Sequence, residues 1–114
     1  MANCIMTITE LIQGTGTAFS FEVVPPRKGE GIGELEQTVE TLLAYGPKYI
    51  NITTHHSEPV YKKLPNGLVE VEMVRRRPGT VAVAAALQHK YNIPIVPHIL
   101  CSGFTKAETE YVLL

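Results

Sequence analysis

An excess of charge of either sign is missing from this sequence: ten lysines and arginines stand against eleven acids, a formal net charge of −1. With no basic field to attract polyanions, nucleic acid and anionic membrane surfaces are not expected as partners. Every acid is a glutamate; aspartate is absent. No apolar run approaches the roughly 20 residues that span a bilayer. Residues Met1 to Gly14 lack the basic start and small-residue cleavage site of a secretory signal, so the default address is cytoplasmic. Cysteine is scarce too. Cys4 and Cys101 are too few and too far apart for a disulfide framework or a zinc site, and the plain reading of both is a buried or idle thiol.

What is present is 114 residues, 45% of them hydrophobic, enough for one domain with a core. The stretch Phe19-Ser20-Phe21-Glu22-Val23-Val24-Pro25-Pro26 reads as a buried strand, rich in aromatic and β-branched residues and stopped by two prolines. Glu22 is the exception within it. An ionised carboxylate is seldom buried alone, so Glu22 is either paired with a basic neighbour such as Arg27 or kept for chemistry.

Ahead of that strand, Thr7-Ile8-Thr9-Glu10 has capping-box spacing and predicts a short helix through Leu11 and Ile12. Gly14 to Thr17 then reads as a plain turn, lacking the lysine and spacing of a phosphate loop. After the strand, Ile32, Leu35, Val39, Leu42 and Leu43 recur at helical spacing, and Gly46-Pro47 is a stop signal. Tyr49 to Thr54 reads as a second strand. From His55 to Gly79 the rhythm changes to alternation around Leu64-Pro65-Asn66-Gly67, which predicts a β-hairpin flap at 57–78. Five basic residues sit in that region. They read as a solvated face, with an anion-binding role for Arg77 the minority alternative. Pro78 and Thr80 open an alanine-rich helix. A third strand, Ile95 to Cys101, contains Pro97 and so reads as an edge or irregular strand. Thr105-Lys106-Ala107-Glu108 caps a last helix.

Strands alternating with helices imply a parallel α/β sheet with right-handed crossovers. Sites on such sheets lie beyond the C-terminal strand ends, where this sequence puts Glu22, Thr53, His55, His56, His98 and Cys101. By strand parity Ser20, Glu22 and Val24 share one face and Phe19, Phe21 and Val23 the other; likewise Asn51 and Thr53 oppose Ile50 and Ile52. The more polar faces are expected to line an interior, where desolvation would favour a neutral, proton-donating Glu22. Adjacent histidines on extended chain point in opposite directions, and no aspartate completes a ligand set with them, so no metal is expected.

These motifs carry a resemblance. Ser20-Phe21-Glu22-Val23-Val24-Pro25-Pro26 resembles the S-F-E-F-F-P-P opening of the methylenetetrahydrofolate reductase family. Ile50-Asn51-Ile52-Thr53 is similar to the family's second strand ending in V-T, and Pro97-His98-Ile99-Leu100-Cys101 to its P-H-L-T-C third strand. The resemblance implies a (β/α)8 TIM-barrel fold, with residues 1–114 supplying the first three βα units as a partial barrel. It implies FAD as cofactor, NAD(P)H as reductant and 5,10-methylenetetrahydrofolate as the folate substrate, reduced to 5-methyltetrahydrofolate. Carried onto this sequence, Glu22 matches the catalytic general acid, which promotes opening of the folate's five-membered ring to an iminium; Thr53 and His98 match flavin-contacting positions. One departure is local: Thr54-His55-His56-Ser57 stands where the family has an aromatic residue and a Gly-rich loop. A larger one is that the family's later strands have no counterpart before Leu114, so the chain alone is expected to be inert. A homo-oligomer is expected, since open sheet edges invite pairing. The competing expectation is a non-catalytic α/β module that completes its sheet by oligomerising.

Overall fold

A computed structural model describes residues 6–14 and 16–114. Cys4 and Thr15, and with them part of the expected turn at Gly14 to Thr17, lie outside the described residues. The elements run α1 (Ile8–Gln13), β1 (Ser20–Val23), α2 (Gly33–Leu43), β2 (Tyr49–Ile52), β3 (Glu58–Lys63), β4 (Val69–Val74), α3 (Thr80–Tyr91), β5 (Ile95–Pro97) and α4 (Lys106–Leu113). Strands β1, β2 and β5 form a parallel sheet in that order, and β3 and β4 form a separate antiparallel ribbon.

Parallel pairing demands crossovers, and α2 and α3 provide them. Their apolar stripes meet one face of the sheet: Leu35 and Val39 from α2, Val83, Ala84 and Leu87 from α3, against Val23, Ile50, Ile52 and Ile95. Ile50, Ile52, Val39 and Leu87 have no exposed surface at all. Burying a side chain of that size contributes about 1.5–3 kcal/mol, so this small cluster dominates the stability of the sheet. The two helices are also tied outside the core. The Tyr91 hydroxyl donates to the Glu40 carboxylate at 2.7 Å, and Lys90 reaches Glu36 at 2.9 Å. Donation to Glu36 holds the Lys90 ammonium above its ordinary range.

Local signals in the sequence explain the ends of the elements. Thr7 and Thr105 each accept from the backbone N–H of a glutamate three residues on, which accepts in return from the threonine N–H. Gly46 and Asn92 take left-handed backbone after α2 and α3, with φ of 65° and 52°. The ribbon turns through a hydrogen bond from Gly67 N–H to the Leu64 carbonyl. Only Gly67 there has positive φ, 82°, so Asn66 keeps ordinary backbone and its side chain accepts from Leu68 N–H instead.

Two expected strands are shorter than their apolar runs. β1 ends at Val23, leaving Phe19 and Val24 half exposed. β5 ends at Pro97 rather than Cys101; proline gives no N–H to the ladder, and the next carbonyl, that of His98, is taken by threonine hydroxyls. Among the described residues the sheet is covered by helices on one face, and the more polar face is open. Among the described residues no helix is long and apolar enough to cross a membrane.

Candidate functional site

In a parallel sheet, residues in register point the same way. Glu22 lies opposite Asn51, which lies opposite Val96, and one step further along the same face come Thr53 and His98. The ladder continues through both, with Thr53 N–H donating to the Val23 carbonyl at 3.1 Å and His98 N–H to the Ile52 carbonyl at 2.8 Å. Glu22, Thr53 and His98 therefore converge on the open face at the C-terminal edge, from three different strands.

The Glu22 carboxylate and the His98 Nδ1 approach to 3.9 Å across β2, with Glu22 59% exposed and His98 36%. This corrects two expectations. Glu22 is not withdrawn from water, because none of the described residues covers its face of the sheet, and its partner is His98 rather than Arg27. Thr53 Oγ1 lies 3.0 Å from His55 Nε2. Asn51 donates to Ser20 Oγ at 3.2 Å, fixing the polar row below the site.

Behind the open face, three groups whose role here was not expected from the sequence, Thr54, Thr80 and Arg77, hold the site in shape. The Thr54 hydroxyl donates to the His98 carbonyl. Thr80, buried at the start of α3, donates to the same carbonyl at 3.2 Å and lies 3.1 Å from Thr54. The Arg77 guanidinium donates to the Pro25 carbonyl, and Lys28 N–H to the Arg76 carbonyl at 2.7 Å. So Arg77 clamps the loop after β1 to the chain leaving β4. A prolyl carbonyl is an open acceptor and Pro25-Pro26 supplies no N–H, a signal that could have marked the loop as needing an outside donor.

His55 and His56 separate as alternation requires. His56 turns toward the loop before α4, 3.5 Å from Ser102 Oγ, where a side chain on Gly103 would meet its ring at 3.1 Å. Cys101 is exposed, not buried. Among the described residues no three His, Cys, Asp or Glu side chains are placed to hold a metal ion. A small cavity of about 140 Å³ lies between His55, Arg77, Thr80 and His98; a larger open groove of about 1000 Å³ flanks β1, with Phe21, Glu22 and Leu35 in its wall.

A parallel α/β sheet with polar side chains gathered past its C-terminal strand ends belongs to the class of folds that bind small ligands there. Within that class the chain belongs to the methylenetetrahydrofolate reductase family, whose profile matches residues 7–113. It is 43% identical over 49 residues to methylenetetrahydrofolate reductase (NADH) 1 of Arabidopsis thaliana, a match covering 43% of this chain and 8% of that protein. It is 37% identical over 49 residues to methylenetetrahydrofolate reductase (NADH) 1 of Zea mays, covering 40% of this chain and 8% of the relative. No solved structure matches.

Proposed function

We propose that this chain supplies the first three βα units of the (β/α)8 barrel of a flavin-dependent methylenetetrahydrofolate reductase, which reduces 5,10-methylenetetrahydrofolate to 5-methyltetrahydrofolate. The observation that carries the reading is the convergence of Glu22, Thr53 and His98 on one open face of the sheet. NADH as the reductant follows from the names of both plant relatives. The residues present fit FAD: an open sheet face offers a flat surface, and the Thr53 hydroxyl and His98 imidazole at its rim offer hydrogen-bonding groups. FAD, when bound, supplies the hydride chemistry.

The protein's own part is orientation and proton control. Thr53 and His98 orient the cofactor at the strand ends. Glu22 holds the proton that promotes opening of the folate ring. In the free chain Glu22 faces water and His98. Ligands laid on this face would exclude water from the carboxyl and place it beside the group it serves. Alone, the chain is expected to be inert, since it offers only three strands of the eight that such a barrel needs.

The test is Glu22→Gln in a protein that carries the whole barrel. The expected result is loss of folate reduction with flavin reduction by NADH retained. Unchanged folate reduction would remove Glu22 from the role of acid. The second reading, a non-catalytic module in the cytoplasm that oligomerises, draws on the open sheet face; its signature is a stable oligomer that takes up no flavin at any concentration.

A further inference from the structure

The three arginines that leave the ribbon after β4, Arg75, Arg76 and Arg77, do not share one environment. Arg76 parts from its two neighbours and reaches the Glu58 carboxylate at 3.4 Å. Arg75 and Arg77 line the cavity of about 140 Å³ beside His55 and His56 instead. Among the described residues no carboxylate pairs with either of them, and none stands in the wall of that cavity.

Each of these two guanidiniums is held by a neutral partner. Arg75 lies over the Phe104 ring, 5.9 Å from its centre, and the Arg77 Nη1 group donates to the Pro25 carbonyl. Those contacts fix the planes and leave the charges uncompensated. A guanidinium carries five N–H donors, of which the Pro25 carbonyl takes one from Arg77 and the ring face takes none from Arg75. Glu108 feels the Arg75 charge, but its carboxylate is committed to the Thr105 N–H and hydroxyl at 2.7 and 2.9 Å. Arg75 is exposed and Arg77 half-buried, and a charge partly withdrawn from water without an opposite one is costly. The chemistry of the wall therefore selects an anion.

Size narrows the choice. A volume of about 140 Å³ is under half the roughly 300 Å³ at which pockets for drug-sized ligands begin, and matches four or five waters at about 30 Å³ each. One small oxyanion fits, and the body of a nucleotide does not. Two guanidiniums bring two positive charges and a fork geometry that suits phosphate oxygens, and an imidazole in either charge state offers at least one further N–H. We propose that the cavity between Arg75 and Arg77 binds a phosphoryl group, either inorganic phosphate or the phosphate end of a larger ligand whose body stays outside. The proposal does not rest on the flavin reading, because neither arginine belongs to the Glu22, Thr53 and His98 set.

The experiment is a titration of the full chain with inorganic phosphate, followed by amide resonances, at constant ionic strength with chloride making up the balance. Saturable shifts are expected at His56, Thr80 and Phe104, with a dissociation constant of about 1 mM, while Ile50 and Ile52 stay in place. Arg75→Met keeps the stem over Phe104, removes the charge, and should weaken binding about tenfold. Arg76→Met makes the same change of net charge on the side that faces Glu58 and should leave binding as it is. Because Arg77 also clamps the loop after β1, it is tested as Arg77→Lys, which keeps the charge and loses the fork. Binding should fall again, with unmoved Ile50 and Ile52 amides showing that the sheet is intact. Adenosine monophosphate separates the two sources. The same shifts with further ones outside the cavity identify the phosphate end of a larger ligand; binding of inorganic phosphate alone identifies the free ion. The absence of any saturable shift at tens of millimolar phosphate overturns the proposal. So does equal weakening by Arg75→Met and Arg76→Met, which reduces the effect to net charge, and so does acetate acting as strongly as phosphate, which makes the cavity indifferent to the phosphoryl group.

Discussion

Alternation of apolar and polar residues has opposite outcomes in the two halves of this molecule. In β2, Ile50 and Ile52 point under the helices and lose all contact with water. In β4, Val69, Val71 and Met73 alternate just as regularly, yet each keeps more than half its surface. The strands are equally well paired. What differs is the connection: β1 to β2 and β2 to β5 are parallel steps whose crossover helices must return across the sheet, bringing Leu35, Val39, Val83 and Leu87 with them. A hairpin closes through a tight turn and brings nothing. Period-two patterning therefore specifies a strand and its inner face, and the type of connection decides whether that face is buried within the chain.

The comparison breaks most visibly in the core. Ile52→Ala should cost 2–5 kcal/mol in denaturant unfolding, since the methylenes removed are fully buried and α2 and α3 cannot collapse far into the gap. Val71→Ala, a truncation in the ribbon, should cost about 0.5 kcal/mol or less in the dilute chain. Equal losses would mean that the Val71 face of the ribbon is buried in solution and that the contrast with β2 does not hold.

Glycines sharpen the contrast at the level of backbone. Gly103 and Gly67 both hold positive φ, 91° and 82°, so alanine at either is strained by about 1–2 kcal/mol. At Gly103 the new methyl also meets the His56 ring at 3.1 Å, whereas at Gly67 it meets open space. Gly103→Ala should therefore lower the unfolding midpoint further than Gly67→Ala and shift the His56 ring resonances. Indistinguishable midpoints would show that the His56 contact gives way freely.

A smaller effect is expected behind the site. Thr80→Val keeps the shape of a buried side chain and deletes a donor to the His98 carbonyl, costing about 1 kcal/mol. The Thr54 hydroxyl still serves that carbonyl, so the fold should survive. The amide resonance of His98 should move while those of β3 and β4 stay in place; a change spread across the ribbon would mean that the two halves are coupled.

Much of this was legible in the sequence, for identifiable reasons. Capping boxes at Thr7 and Thr105, the Gly46-Pro47 stop and the hairpin around Gly67 are local codes, read from residues within four positions of one another. The sharing of a face by Glu22, Thr53 and His98 follows from strand parity once the sheet is parallel. Exposure did not follow. The environment of Glu22 depends on what lies above the sheet, which no residue within β1 encodes, and its pairing with His98 spans 76 positions of sequence across an intervening strand. Arg77 looked like one of a solvated run and serves instead as a clamp, because its acceptor, the Pro25 carbonyl, is 52 residues away.

The smallest expected effect concerns the helix ends, outside both halves. The Glu10 and Glu108 carboxyls are held below their ordinary range, chiefly by the backbone hydrogen bonds they accept from Thr7 and Thr105 and next by the threonine hydroxyls. A carboxyl whose value is lower in the folded chain than in the unfolded one stabilises the fold above the ordinary carboxylate value. That contribution disappears as pH falls through the lower folded value. Acidification through and below the ordinary glutamate range should thus fray the starts of α1 and α4, and exchange of the Thr105 and Glu108 amides should gain protection factors close to unity there. The amides of Ile50 and Ile52 should stay protected over the same range, because the described residues that bury them include no carboxylate or histidine. Glu108→Gln can still accept from Thr105 N–H but carries no charge, so in that variant the acid limb should vanish while the cap persists. If the limb remains in Glu108→Gln, the fraying reports another carboxylate, and the capping box is not the acid-sensitive element of α4.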